Sequence, residues 1–568
     1  MKERMYAVVA EALAKMGAGE VSFAVEYPSD LAHGDFAVNA AMVAAKKLGK
    51  NPREIASDLA RSLQESLGAD AASVEVAGPG FVNVTLSQAA LLAELENALA
   101  AGEAWGKSQT HEGERVSIEY SNPNPFKEMH IGHLMSNIVG EAVSRLVEGA
   151  GATVIRDTFG GDVGPHVAKA LWGLREAGIA EPASAAEIGK AYIQGSNAYE
   201  ESEKAKEEID QLNVTIYDAV AKYQRGEELA ADEQQLVETW RTGRELSMQE
   251  FRRLFAQLGT ELDYEFFDSD TIEPGLRVVH DGLEKGIFEK SDGAVIYRGE
   301  KKGLHTLVFV TSRGTPTYET KDVGLAFLRE ERIVSDKVII TTGAEQVGHF
   351  EVVLAALSEI APQVAAKTHH VPHGLLRLTT GKMSSRKGNI ITGAGLIRDM
   401  IEKASEKNAD PVVAEQVAIG AIKYMVLRQS PGANIIFDPE QSLSLEGDSG
   451  PYLQYALVRA RSVLRAAEEA GKGASATALT EDAPEAPYEI ARLIARFPEM
   501  AARAEALLAP NLLATYLTEL AGAWNSFYAK ERIVGGQYEA HKLSLARAFA
   551  QTMQNGLTLL GIPTPEKM

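Results

Sequence analysis

VSIEYSNPNPFKEMHIGH, residues 116–133, decides the fold. VSIEYS alternates apolar and polar side chains, the two-residue period of a strand. Asn122 to Pro125 is a turn, because proline fixes φ and removes a backbone donor. A helix begins near His130, where Ile131, Leu134, Ile138, Ala142 and Leu146 recur every three or four residues. Gly149 and Gly151 end it. ATVIRDTF, residues 152–159, is a second strand and runs into Gly160-Gly161-Asp162. Strand, turn, helix and strand in this order open a doubly wound parallel sheet of Rossmann-like α/β type.

Outward from this segment the chain divides into three parts. Residues 1–109 form a small α/β domain, with an amphipathic first helix (Met5, Val8, Val9, Leu13, Met16). Within it VEVAGPGFVNVTLS, residues 74–87, is a strand pair broken by Gly78-Pro79-Gly80. Residues 110–400 carry the sheet, interrupted from about 174 to 290 by a charged helical insertion with a capping box at Ser184/Glu187. The sheet is expected to resume with HTLVFVTS (305–312), KVIITTG (337–343) and GLLRL (374–378). Residues 401–568 are nearly all helix. Leu545, Phe549, Met553 and Leu557 make a stripe at i,i+4, so a helical bundle closes the chain. Residues 471–487, rich in Ala, Thr, Ser and Glu, are expected to be a loop.

Composition narrows the chemistry. With 568 residues the chain needs several cores. It has no cysteine, which excludes disulfides, thiolate zinc sites and cysteine nucleophiles, and no zinc is expected. The net charge of −22 argues against a general nucleic-acid coat protein, but not against a binder that is basic only where phosphate lands. No apolar run is long enough for a bilayer, and the N-terminal helix lacks the unbroken apolar core of a signal peptide. A cytoplasmic enzyme with small substrates is the expectation.

Two segments bear the chemistry. His130 and His133 sit three apart in the first turn of a helix, where free N–H groups and the positive dipole end attract phosphate. GKMSSRKG, residues 381–388, puts Lys382, Arg386 and Lys387 on a loop between glycines, suited to charge growing on a transferring phosphorus. Alone, the histidines are more often exposed caps and the cationic loop a solvated turn. Their order, each at the end of a strand, makes the pair informative. Gly160, Gly161, Asp162 and Gly164 suit close backbone approach to a nucleotide, or a tight turn with no ligand.

His130-Ile131-Gly132-His133 resembles the HIGH signature of class I aminoacyl-tRNA synthetases, and Lys382-Met383-Ser384-Ser385-Arg386 resembles their KMSKS loop. IEYSNPNPFKEMHIGHLMSNIVGEAVSRL, GTPTYETKDVGLA (314–326) and TTGAEQVGHF (341–350) resemble the arginyl enzymes. GDFAVNAAMVAAKKLGKNPREIA resembles that family's additional N-terminal tRNA-binding domain, and GPYLQYALVRARSVLR (450–465) its anticodon-binding domain.

The resemblance implies an ATP-dependent ligase, with Mg²⁺ on the phosphates, that joins L-arginine to tRNA(Arg) through an arginyl-adenylate formed after tRNA binds. It places the arginine side chain at Tyr318 and Asp322 with Glu119 near, and the substrate's α-amino and carboxylate groups at Asn122, Asn124, His133 and Gln346. ATP is expected at His130, Gly132, His133, Gly161, Asp162, Gly374, Leu375, Lys382, Met383 and Ser384. The side-chain chemistry agrees for Asp322: a guanidinium is a planar fork that wants a carboxylate, and Asp322 lies one turn after Tyr318. The bland alternative is that Asp322 pairs with Lys321. One departure matters. The loop's usual second lysine is Ser385 here, and Lys127, three residues before His130, stands where arginyl enzymes lacking it carry a substitute.

For tRNA, Arg459, Arg461 and Arg465 lie on one helix with Tyr452 and Tyr455, and Trp524 and Tyr528 follow near the end. Arginine and aromatic residues together suit unstacked bases and phosphates. A salt-bridged helix face with Glu468 and Glu469 is the alternative, and Trp524 can equally be core. Rival readings are a class I synthetase for another amino acid and a synthetase-like tRNA binder that charges nothing. A monomer is expected.

Overall fold

The computed structural model describes residues 1–28, 30–378, 392–472, 483–484 and 486–568. They form two compact units, one of residues 107–455, 501–516 and 556–568, the other of 1–106, 456–500 and 517–555.

The first unit is built on five parallel strands: β1 (Arg115–Glu119), β2 (Thr153–Gly160), β3 (Tyr264–Phe267), β4 (Lys337–Gly343) and β5 (Thr368–His373). Their order across the sheet is β5-β4-β1-β2-β3. The chain winds from β1 to β3 on one side, then crosses to β4 and β5 on the other. That reversal puts a crevice at the carboxyl ends of β1 and β4, the place where doubly wound sheets bind ligands. Glu119 at the end of β1 is in register with Ile340 of β4 and Asp157 of β2. The central position of β1 explains its burial: Val116, Ser117, Ile118 and Glu119 are all buried.

Three helices start at strand ends or carry site residues: α1 (Ile131–Gly149) after β1, α2 (Tyr318–Arg332), and α3 (Val347–Ile360) after β4. In α1 the predicted stripe of Leu134, Ile138, Ala142 and Leu146 is buried.

Three strand assignments change. The predicted insertion contains the helices Ala185–Glu201, Glu203–Gln224, Ala231–Gln257 and Asp268–Glu284, but also the edge strand β3. Four residues beside a charged tract are too short for a readable period. HTLVFVTS does not rejoin the sheet. Leu307–Val310 pairs antiparallel with Ala294–Tyr297, which pairs with Glu289–Ser291, a separate small sheet. The last parallel strand is instead THHVPH; Pro372 is tolerated there because β5 is an edge strand. In GLLRL, Leu376–Leu378 pairs with Ile435–Phe437 in a two-stranded ladder.

The second unit contains a four-stranded antiparallel sheet of Val25–Glu26, Phe36–Val38, Phe81–Leu86 and Ala71–Ala77. The hairpin at Gly78-Pro79-Gly80 joins the last two, as predicted. Helices Lys2–Lys15, Ala40–Leu48 and Pro52–Leu67 bury Met5, Val9, Leu13, Ala44, Leu59 and Leu63 against it. Leu545, Phe549, Met553 and Leu557 on the helix Glu539–Leu559 are fully buried. Among the described residues no helix is long and apolar enough to cross a membrane. Part of the predicted loop 471–487 lies outside the described residues.

Candidate active site

The first turn of α1 is capped by its own histidines. His130 is the N-cap; its Nδ1 accepts the Gly132 N–H at 3.0 Å, and its own N–H donates to Nδ1 of His133 at 3.3 Å. The two rings stack with centroids 3.6 Å apart. Burial lowers both pKa values, His133 the more strongly, and the nearby Lys127 lowers them further. Both imidazoles are therefore neutral at pH 7. A neutral ring whose Nδ1 accepts a hydrogen bond carries its proton on Nε2. Each histidine thus presents one Nε2–H donor at a helix N-terminus. Gly132 is needed because a Cβ there would lie 2.9 Å from the His130 ring.

The turn before α1 is tied to the end of β2. Oδ1 of Asn122 accepts the Phe159 N–H at 2.9 Å, and Oδ1 of Asn124 accepts the Gly161 N–H at 3.0 Å. Ser121, Asn122 and Phe126 have φ values of 72°, 50° and 70°, held there by these bonds and by Phe126 N–H donating to Ser247. Asp162 corrects the sequence reading. Its carboxylate is fully buried and taken by the Ser269 N–H and hydroxyl and by Arg244, and its carbonyl accepts from Trp240. It braces the turn and has no free edge for a nucleotide. Gly161 is buried as well: its N–H is taken by Asn124, its carbonyl oxygen lies 2.8 Å from Nε2 of His166, and a Cβ there would lie 2.5 Å from Asn124 Oδ1.

Across the crevice lies a carboxylate group. Glu119 is buried; one oxygen accepts from Arg329 and the other from Nδ2 of Asn122 at 2.8 Å. Arg329 also donates to Asp157 at 2.8 Å. Burial raises the Glu119 pKa and Arg329 opposes it, leaving a value of about 7. Asp322 sits one turn into α2, after the exposed Tyr318. Its partner is not Lys321, which is buried against Asp268 at 2.6 Å. Its partner is His349 on α3. Glu119, Asp322, Arg329, Ile340 and Phe350 line a cavity of about 20 Å³, room for a single water. Gln346, exposed at the N-cap of α3, faces solvent from the end of β4.

Lys382, Met383, Ser384, Ser385 and Arg386 lie outside the described residues. The chain is described up to Leu378 and again from Thr392. Thr392 makes an isolated antiparallel bridge with His130, and the Gly393 N–H donates to the Met129 carbonyl at 2.7 Å. The first described residue beyond the cationic segment, Thr392, is therefore bridged to the histidine cap. Gly374 has no room for a side chain, since a Cβ would lie 1.8 Å from the Ala433 carbonyl oxygen; Leu375 pairs with Asn434 and Ile435. Lys127 is half-buried. Burial lowers its pKa, and no carboxylate among the described residues counters this.

On the helix Gly450–Glu469, Tyr452 and Tyr455 are half-buried. Arg459 donates to Asn525 at 3.0 Å and lies 4.9 Å over the Tyr528 ring, Arg461 bonds Gln554, and Arg465 bonds Ser462. Trp524 corrects the sequence reading: it is fully buried and stacked on Phe549 at 4.6 Å, so it is core and not a base platform. Tyr528 is 42% exposed. Residues the sequence reading left unassigned are His349, Arg329 and His373. The signal for His349 was the same as for His130, a polar ring just past a strand end.

A doubly wound sheet whose switch point carries a helix capped by the two histidines of His130-Ile131-Gly132-His133 is the arrangement of a class I aminoacyl-tRNA synthetase. Three family profiles match: "tRNA synthetases class I (R), catalytic domain" over residues 94–439, "Arginyl tRNA synthetase N terminal domain" over 3–86 and "DALR anticodon binding domain" over 453–568. Arginine–tRNA ligase of Limosilactobacillus reuteri is 31% identical over the full length of both chains. That of Treponema denticola is 30% identical, covering 92% of this chain and 91% of its own. The Thermus thermophilus arginyl-tRNA synthetase structure superposes with a TM-score of 0.79 at 26% identity, covering 100% of both chains. The Plasmodium falciparum arginyl-tRNA synthetase structure, 21% identical over 100% of this chain and 99% of its own, has the same fold with a TM-score of 0.79. The chain belongs to the arginyl-tRNA synthetase family.

Proposed function

We propose that this enzyme joins L-arginine to tRNA(Arg) in two steps at the switch point of its sheet. The arginine carboxylate attacks the α-phosphorus of ATP, releasing pyrophosphate. A hydroxyl of the terminal tRNA adenosine then attacks the acyl carbon, releasing AMP. No side-chain nucleophile is required, so catalysis is positioning and charge stabilisation.

One observation carries the reading. Two neutral imidazoles present Nε2–H donors at the N-terminus of α1, which follows β1, and the Asp322 carboxylate is held by His349 on α3, which follows the neighbouring strand β4. His130 and His133 donate to nucleotide oxygens there, and the free N–H groups of α1 add to the attraction. Asp322 grips the guanidinium, with Tyr318 beside it. Asn122, Asn124 and Gln346 orient the α-amino and carboxylate groups, and Glu119 supports the pocket through Asn122. Gly132, Gly161, Gly374, Leu375, Lys382, Met383 and Ser384 are taken as the contacts of the nucleotide. Lys127, uncompensated beside the histidines, supplies the charge absent at Ser385.

Among the described residues no three carboxylates or histidines gather as a metal cage. Mg²⁺ is taken as an ion carried on the ATP phosphates, where it neutralises their charge. Tyr452, Tyr455, Arg459, Arg461, Arg465 and Tyr528 are the candidate tRNA-binding residues. The same reading takes the enzyme to act as a monomer in the cytoplasm.

The test is aminoacylation with labelled arginine, ATP and Mg²⁺, with and without tRNA(Arg). Loading of arginine and of no other amino acid is expected. Loading of a different amino acid, or none, refutes the reading.

A further inference from the structure

His349 has a geometry that neither signature explains. One ring nitrogen, Nε2, donates to Oδ2 of Asp322, and the other lies 3.4 Å from Oε1 of Glu319. Both acids are on the first turns of α2, while His349 is on the first turn of α3. The ring meets the edge of Phe350 at 5.2 Å; Phe350 stacks on His370 at 4.4 Å, and His370 bonds Thr342 at 2.8 Å. The imidazole is thus clamped between two helices and backed by β4 and β5.

A carboxylate offers about four lone-pair directions, and a guanidinium fork needs two of them. His349 takes one on Oδ2 and leaves enough for the fork. We propose that His349 is a positioning residue for arginine recognition: it fixes the plane of the Asp322 carboxylate and so the direction from which the guanidinium enters. The proposal rests on the assignment of Asp322 to the guanidinium.

Charge supports it. Two carboxylates and one imidazolium leave one net negative charge, which one guanidinium neutralises. Burial lowers the His349 pKa, but hydrogen bonds to Asp322 and Glu319 more than reverse this, to about 10. His370 of β5, behind Phe350, feels the His349 charge and is kept uncharged by burial, at about 4. Without the imidazolium, two adjacent carboxylates would draw cations with little regard for shape.

The test is steady-state aminoacylation by the full-length enzyme and its His349→Ala, His349→Gln, Asp322→Asn and double Asp322→Asn/His349→Ala variants. In His349→Ala the KM for arginine is expected to rise about tenfold or more, with kcat and the KM for ATP changed less than about threefold. In His349→Gln, whose amide N–H reaches the same oxygen, most of the loss is expected to be recovered. The double variant should be no worse than Asp322→Asn alone, because His349 acts through that carboxylate. An arginine KM near wild type in His349→Ala, while Asp322→Asn raises it, overturns the positioning role alone. So do additive losses in the double variant, or a fall in every parameter that glutamine does not rescue. An unchanged arginine KM in Asp322→Asn overturns the Asp322 assignment itself, and the proposal with it.

Discussion

The rings of His130 and His133 lie face to face, 3.6 Å between centroids and 21° from parallel, and the second accepts a hydrogen bond from the backbone of the first. Each ring accepts a backbone N–H at Nδ1, which an imidazolium nitrogen cannot do, so the arrangement requires both rings to be neutral. The expected tautomer is Nε2–H in each. Nitrogen chemical shifts in selectively ¹⁵N-histidine-labelled enzyme check this at pH 7. A protonated His133 would contradict it.

Lys127 lies beside that stack with no carboxylate against it among the described residues, and its charge is already felt by His130, His133 and His166. Lys127→Ala is expected to slow arginyl-adenylate formation a hundredfold or more, a loss on the order of 3 kcal/mol. Pyrophosphate exchange in the presence of tRNA measures it. A rate within a few-fold of wild type would show that Lys127 is a surface lysine.

The His349 ion pairs set a stability trend with pH. The folded pKa of about 10 lies above the unfolded value of about 6.5. The pairs therefore contribute fully below about pH 6.5, and their contribution fades as pH rises towards about 10. In denaturant titrations the stability gap between wild type and His349→Gln should narrow from about pH 6 to about pH 10. A gap that widens with pH goes against this.

Trp524 and Tyr528 are one helical turn apart and should behave in opposite ways. Trp524→Ala removes a buried ring stacked on Phe549 and should cost about 3–5 kcal/mol of stability. Tyr528→Ala should cost little stability and weaken tRNA binding, because its exposed ring is held by Arg459. Thermal unfolding and a filter-binding titration separate the two. A Tyr528→Ala enzyme with unchanged tRNA affinity would remove this residue from the candidates.

Much of the sheet was readable from periodicity. β1, α1 and β2 follow from apolar spacing and from the Asn-Pro turn, and β4 from its β-branched run. β3 and β5 were not readable because one is four residues long and the other is rich in histidine; both are set by neighbours in space. Residue type marked His130, His133 and Asp322. It did not indicate that Asp162 would be spent on Ser269 and Arg244, or that Asp322 would face His349 and not Lys321. Those partners come from strands and helices far away in sequence. Trp524 looked like a base platform because composition does not distinguish a buried indole from an exposed one.

The Thr392–His130 bridge couples two signatures that the sequence keeps far apart. Thr392 and Gly393 are bonded to His130 and Met129, so the start of the helix Gly393–Ser405 is anchored on the backbone that carries the ring capping α1.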